Sequence, residues 1–234
     1  MVDRSTLLAT LTSAAVDQSD GAPLVGRLCE AARSVSDADG ASLALAPDHR
    51  TFVGRSVLWA TDDTAARIEQ IQDVVGHGPS SDVLRDDVAL SATLADPATR
   101  WPTFAEMAVR QTAALSLTAV PLHAGRGVLG VLTLYRSRPG DLTGTLEDLG
   151  FVADVIAVAV LDGIVPGTPP PAASWDERSL IHQAVGMVMA QLAVTADDAL
   201  ALLRAHAFAL DLTLPVVAHQ VLDRDLRFRP EELP

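Results

Sequence analysis

Apolar positions recur at three- and four-residue spacing over 23–35, through Leu24, Val25, Leu28, Ala31, Ala32 and Val35, which is the period of an amphipathic helix. The spacing returns at Ile68, Ile71 and Val75 behind a cap at Thr61 or Asp62, and Gly76-His-Gly-Pro79 breaks that helix. A short helix over 81–88 follows, and Trp101-Pro102 opens another, because proline fits a first turn. Thr145 with Asp148 three residues on has capping-box spacing, ahead of a stripe of Leu149, Val152, Ile156 and Val160. Between the helices lie extended runs at 41–46, 51–60 and 89–94. The runs 115–122 and 127–136 flank His123-Ala-Gly-Arg126, a loop of hairpin length. The only tightly joined strand pair is antiparallel, so the class is α+β rather than a doubly wound parallel sheet.

Pro166-Gly-Thr-Pro-Pro-Pro171 then interrupts every pattern, since proline continues neither helix nor strand ladder. It divides the chain into a unit over 1–165, a linker over 166–173 and a unit over 174–234. In the last unit Ser174-Trp-Asp-Glu177 has capping-box spacing ahead of a helix with Ile181, Ala184, Val185, Val188 and Leu192 on one face. Thr195-Ala-Asp-Asp198 starts a second helix, with Ala199, Leu200, Leu203, Ala207 and Leu210. Thr213 and Pro215 open a third, with Val217, Ala218, Val221 and Leu222 inward. Three short helices with tight connections make a small bundle.

Composition narrows the functions. The chain has 234 residues, 49% of them hydrophobic, enough for one ordinary core and a smaller one. Its single cysteine, Cys29, sits on the apolar stripe of the first helix and reads as packing; it rules out an internal disulfide or a cysteine-based zinc cluster. No run of about 18 apolar residues appears and the N-terminus has no signal-like segment, so the expectation is a cytoplasmic protein with no membrane partner. All seventeen cations are arginines and the net charge is −13, which argues against broad electrostatic attraction to nucleic acid. His49, His77 and His123 are scattered over loops, without a paired carboxylate or a phosphate-binding glycine loop, so the chain reads as a non-enzyme without a cofactor. His182, His206 and His219 fall one per helix in the bundle, as ordinary surface or half-buried imidazoles rather than a metal site.

On the first bundle helix Arg178, His182 and Gly186 recur at four-residue spacing away from the apolar stripe, with Gln183 and Met189 beside them. Glycine inside a helix costs about 1 kcal/mol relative to alanine. Gly186 therefore implies close approach to the backbone there, by a ligand or by another helix of the bundle.

Two resemblances follow. Gly76-His-Gly-Pro-Ser80, Arg100-Trp-Pro-Thr103, Ala119-Val-Pro-Leu122 and Gly127-Val-Leu-Gly-Val-Leu-Thr-Leu-Tyr135 together resemble the GAF domain, a PAS-related sensor fold, over most of 20–163. Ser80 stands where related domains can carry a cysteine, which disfavours a thiol-linked chromophore. The small-molecule or protein signal of this unit is not specified by the sequence.

The run from Arg178 through Met189, then Asp198 to Ala207 and Leu214-Pro-Val-Val-Ala218, resembles the ANTAR domain. That resemblance implies a transcription antitermination regulator that binds paired RNA hairpins in leader transcripts, as a homodimer presenting two modules. It carries over Arg178, Gln183, Ala184, Gly186, Met189, Arg204 and Ala207 as motif positions. Val185 stands where many members have lysine, so one cation is expected to be missing.

RNA loops are read by hydrogen bonds to base edges and by stacking. Arg178, His182, Gln183 and Arg204 supply such groups around Gly186 and Met189, and the tail Arg224-Asp-Leu-Arg-Phe-Arg229 adds Arg227 and an aromatic ring. From residue 174 onward five arginines face nine carboxylates, so binding must rest on placed groups and on a dimer doubling them. A signal at the sensor unit is expected to alter the spacing of two such modules. The competing reading is a sensor whose C-terminal helices serve dimerisation or partner binding; a DNA-binding helix-turn-helix would offer only His219 and Gln220 to bases.

Overall fold

The computed structural model describes residues 4–17, 21–46, 55–96, 99–125, 127–138, 140, 142–163 and 172–229. His49, the start of the expected 51–60 strand and the prolines of 166–171 lie outside them.

Nine helices and five strands run in the order α1 (Arg4–Val16), α2 (Leu24–Ser36), β1 (Gly40–Leu45), β2 (Ser56–Ala60), α3 (Asp63–Val75), α4 (Pro79–Asp86), β3 (Leu90–Thr93), α5 (Pro102–Gln111), β4 (Ser116–Ala124), β5 (Gly127–Arg136), α6 (Leu146–Gly163), α7 (Ala172–Leu192), α8 (Ala196–Ala209) and α9 (Leu214–Leu222) among the described residues. The strands form one antiparallel sheet ordered β2-β1-β5-β4-β3, so the expected α+β class holds and the expected hairpin lies inside the sheet. Alternation along each strand feeds two cores. Leu132 and Leu134 of β5 and Val120 and Leu122 of β4 face α1, α2 and α6. Val131 and Tyr135, with Leu117 and Ala119, face α3, α4 and α5.

Local chemistry sets the boundaries. The Asp62 carboxylate accepts the Ala65 N–H at 2.9 Å to start α3, and Gly76 ends that helix at φ +78°, where a side chain is strained. At α6 the expected box closes both ways: Asp148 N–H donates to Thr145 Oγ1 (3.1 Å) and Thr145 N–H donates to Asp148 Oδ2 (3.0 Å). At α8 the Asp198 N–H donates to Thr195 Oγ1 at 3.2 Å.

Two expectations need correction, and one helix carries no clear sequence signal. α7 begins at Ala172, so Ser174 lies inside its first turn rather than capping it. Thr213 is the residue before α9 but its side chain makes no cap bond, leaving Pro215 to set the first turn. Helix α1 was not anticipated: it buries only Leu7 and Leu11, one turn apart, a stripe too narrow to stand out in sequence.

A third core, of Ala184, Val188, Leu203, Val217 and Val221 among others, unites α7, α8 and α9. Val74 of α3 is 3% exposed and belongs to it, so the bundle is packed onto the sheet-bearing unit through α3.

Candidate nucleic-acid interface

The outward face of α7 carries His182, Gln183 and Gly186, all exposed. A Cβ built on Gly186 would meet no neighbour within 4 Å. Packing within the bundle therefore does not account for this glycine, and the helix presents bare backbone to solvent there. Gln183 Nε2 donates to Ser179 Oγ at 3.0 Å, which orients its amide along the helix. Partial burial and the neighbouring Arg178 charge hold the His182 imidazole below its ordinary pKa, so it is neutral, with one donor and one acceptor nitrogen. Met189 is half-buried and packs against the bundle core.

The other named residues lie elsewhere. Arg204 is turned toward the sheet-bearing unit: its Nε donates to the Asp73 carbonyl at 3.0 Å, and its Nη1 lies 3.2 Å from where a Gly76 Cβ would stand. Gln111 of α5 donates to Asp211 just beyond α8, a second polar tie between the units. Arg178, half-buried, lines a cavity of about 340 Å³ between β2 and α3 on one side and α7, α8 and α9 on the other. Arg227 is exposed on the tail. That tail is not an extension of α9. It folds back, with the Phe228 N–H donating to Gln191 Oε1 at 3.0 Å and the Phe228 ring edge-on to His206 at 5.9 Å. The aromatic group that sequence offered for base stacking is thus engaged by the bundle.

Val185 also reads differently in place. It is 6% exposed and inside the third core, where a lysine would have to run its stem along apolar surface to reach water. Val185 therefore belongs to the bundle core and not to the outward face.

Between the sheet and α3 the interior of the larger unit is occupied by a polar chain. Glu69 and Gln72 are fully buried. Glu69 accepts from Ser42 Oγ at 2.6 Å and pairs with Arg55, whose other nitrogen reaches Asp73 at 2.6 Å. Gln72 donates to Ser80 Oγ and accepts the Ser80 N–H (3.0 and 2.9 Å), and Ser80 Oγ meets Thr133 Oγ1 at 3.0 Å. Sequence patterning gave no sign of this network, because the α3 residues Glu69, Gln72 and Asp73 meet partners on β1, on α4 and at Arg55, and through Ser80 one on β5, that lie far apart in sequence. Among the described residues no three histidine, cysteine or acidic side chains are grouped to hold a metal, and His182, His206 and His219 do not come together. No single described helix is long and apolar enough to cross a membrane.

The sheet order, its two covered faces and the Gly76-His-Gly-Pro79 corner packed on Gln72 agree with one family, and residues 23–160 match the GAF domain. The chain belongs to the GAF domain family. Residues 173–222 of the same chain match the ANTAR domain. The GAF domain from Acinetobacter phosphoenolpyruvate-protein phosphotransferase is similar at 15% identity and a TM-score of 0.49, covering 72% of this chain and 99% of that one. An A. aeolicus nlh2 GAF domain crystallised in an inactive state is similar at 14% identity and a TM-score of 0.44, covering 69% and 96%. No curated protein matches the chain in sequence.

In these terms, Ser80 of the GAF domain is engaged in the interior polar chain. GAF helix α3 and the ANTAR arginine Arg204 are in direct contact, through the Asp73 carbonyl 131 positions away in sequence.

Proposed function

We propose that this chain is a regulator of the ANTAR antitermination type that binds hairpin RNA in nascent transcripts, with bases received on the α7 face around Gly186. The observation that carries the reading is the open glycine: a helix tolerates about 1 kcal/mol of lost propensity here without using the space for packing. Flanking it, Gln183 and neutral His182 present donors and acceptors suited to base edges, while their low charge fits recognition by placed hydrogen bonds rather than by field. Arg178 and Arg204 join that face only when the ANTAR domain moves off the GAF domain, since both are directed toward it in the docked arrangement. The GAF domain then acts as the controlling unit. We assign the active form to a homodimer, in which two modules offset the adverse charge by avidity; Leu8 on α1 and Val158 and Leu161 on α6 are exposed apolar side chains available for such a contact.

The test is filter binding of the full chain to two-hairpin leader transcripts against a scrambled-loop control, with Gln183→Ala and His182→Ala. Each variant is expected to weaken binding about tenfold, the order of one to two lost hydrogen bonds. Wild-type binding no better than to the control sinks the reading.

A further inference from the structure

The cavity between the two domains has walls of mixed character. Its apolar side is Trp59 on β2 with Ile181, Leu200 and Leu214 from the bundle. Its polar side carries Arg55, Arg178 and Arg204 with Asp73 and Glu177, and Asp73 is held by Arg55 at 2.6 Å. A volume of about 340 Å³ falls in the range of small-ligand sites, which begins at about 300 Å³. Arg55, which also lines this cavity, links it to the GAF interior through Glu69, Gln72, Ser80 and Thr133.

We infer that this interdomain cavity is a signal site, and that it takes a free α-amino acid with an apolar side chain. The charges of the wall point to a ligand bearing both signs. Burial and then the Asp73 charge raise the Glu177 carboxyl above its usual range, with His219 opposing them. Burial disfavours the charged form of Arg204; Asp73 partly offsets this, and the nearby Arg55 charge adds to it. An ammonium group beside Glu177 and a carboxylate beside Arg178 and Arg204 would match both signs of the wall. An anion or a cation alone would match only one of them. The hydrophobic wall around Trp59 then receives the side chain.

Because residues of both domains form the cavity, the ligand binds only the docked form and therefore stabilises it. Resting on the RNA reading above, amino acid and RNA become mutually exclusive in proportion: each lowers the affinity for the other by the same factor.

The experiment is calorimetric titration of the full chain, without RNA, with L-leucine, L-methionine and L-phenylalanine, and with 3-phenylpropionate and phenethylamine as one-charge analogues of the last. At least one amino acid is expected to bind one per chain, with each analogue at least tenfold weaker than L-phenylalanine. Ala66→Trp, a half-buried wall position on α3, should abolish binding with the far-UV spectrum and melting temperature retained. Glu177→Gln should weaken it at least tenfold. No heat with any amino acid, equal binding of either analogue, or full binding by a folded Ala66→Trp overturns the inference. The titration uses no RNA, so heat without RNA binding removes the proposed function and leaves the site, whereas RNA binding without heat does the reverse.

Discussion

At the scale of single residues, Gly186 separates folding from function. Gly186→Ala adds helix propensity at an open position, so the third core should gain up to about 1 kcal/mol, seen as a higher melting temperature. RNA affinity should fall about tenfold in the same variant if bases approach the backbone there; unchanged affinity would return this glycine to neutrality. His123 gives a pH-dependent prediction. Its ring is bridged by Asp154 and Asp87, each at 2.8 Å. Partial burial disfavours the charged ring, but these two carboxylates outweigh it and hold the pKa above the usual imidazole value. A raised folded-state pKa means the bridge is fully stabilising below the unfolded value and is lost as pH rises through the folded one. The side chain is 38% exposed, so screening limits the effect to about 0.2–1 kcal/mol. The melting-temperature advantage of wild type over His123→Gln should be present at pH 5.5 and vanish by pH 8.5. Cys29 tests burial: desolvation, with the charges of Glu30 and Asp62 adding to it, pushes its thiol up to about 12, and iodoacetamide should modify it only after denaturation.

At the scale of elements, legibility followed locality. Helices α2, α3, α5, α6 and α8 were readable because each carries its own signals, an apolar stripe at helical spacing or a capping or proline start, within a few residues. The 115–136 hairpin was readable because its turn and its alternation are contiguous. The start of α7 was misplaced because a capping-box spacing can occur inside a helix as well as before it. The outward residues His182, Gln183 and Gly186 were legible from periodicity alone. The placement of Arg204 was not, because its partner Asp73 lies 131 positions away and nothing local encodes that contact. The buried pair of Arg55 and Glu69 was equally hidden, and its weight is testable. Glu69→Ala leaves a guanidinium 1% exposed without its main counter-charge. Such a loss costs about 3–5 kcal/mol, and chemical denaturation of the variant should show it.

At the scale of the whole molecule, the proposed function ties RNA access to domain docking. Val74 lies on α3 yet is buried in the bundle core, so Val74→Asp places a charge inside the contact and should separate the domains. Small-angle scattering should record a larger radius of gyration, and RNA affinity should rise as Arg178 and Arg204 turn free of the GAF surface. Separation without a gain in affinity would mean that docking does not gate binding.

Helix α3 is a shared beam. Ile68 and Ile71 are clamped by the sensor while Val74, one turn on, is gripped by the effector, so no slack intervenes between input and output. Under the proposed function, a small tilt of this rod at either end would reach the other directly.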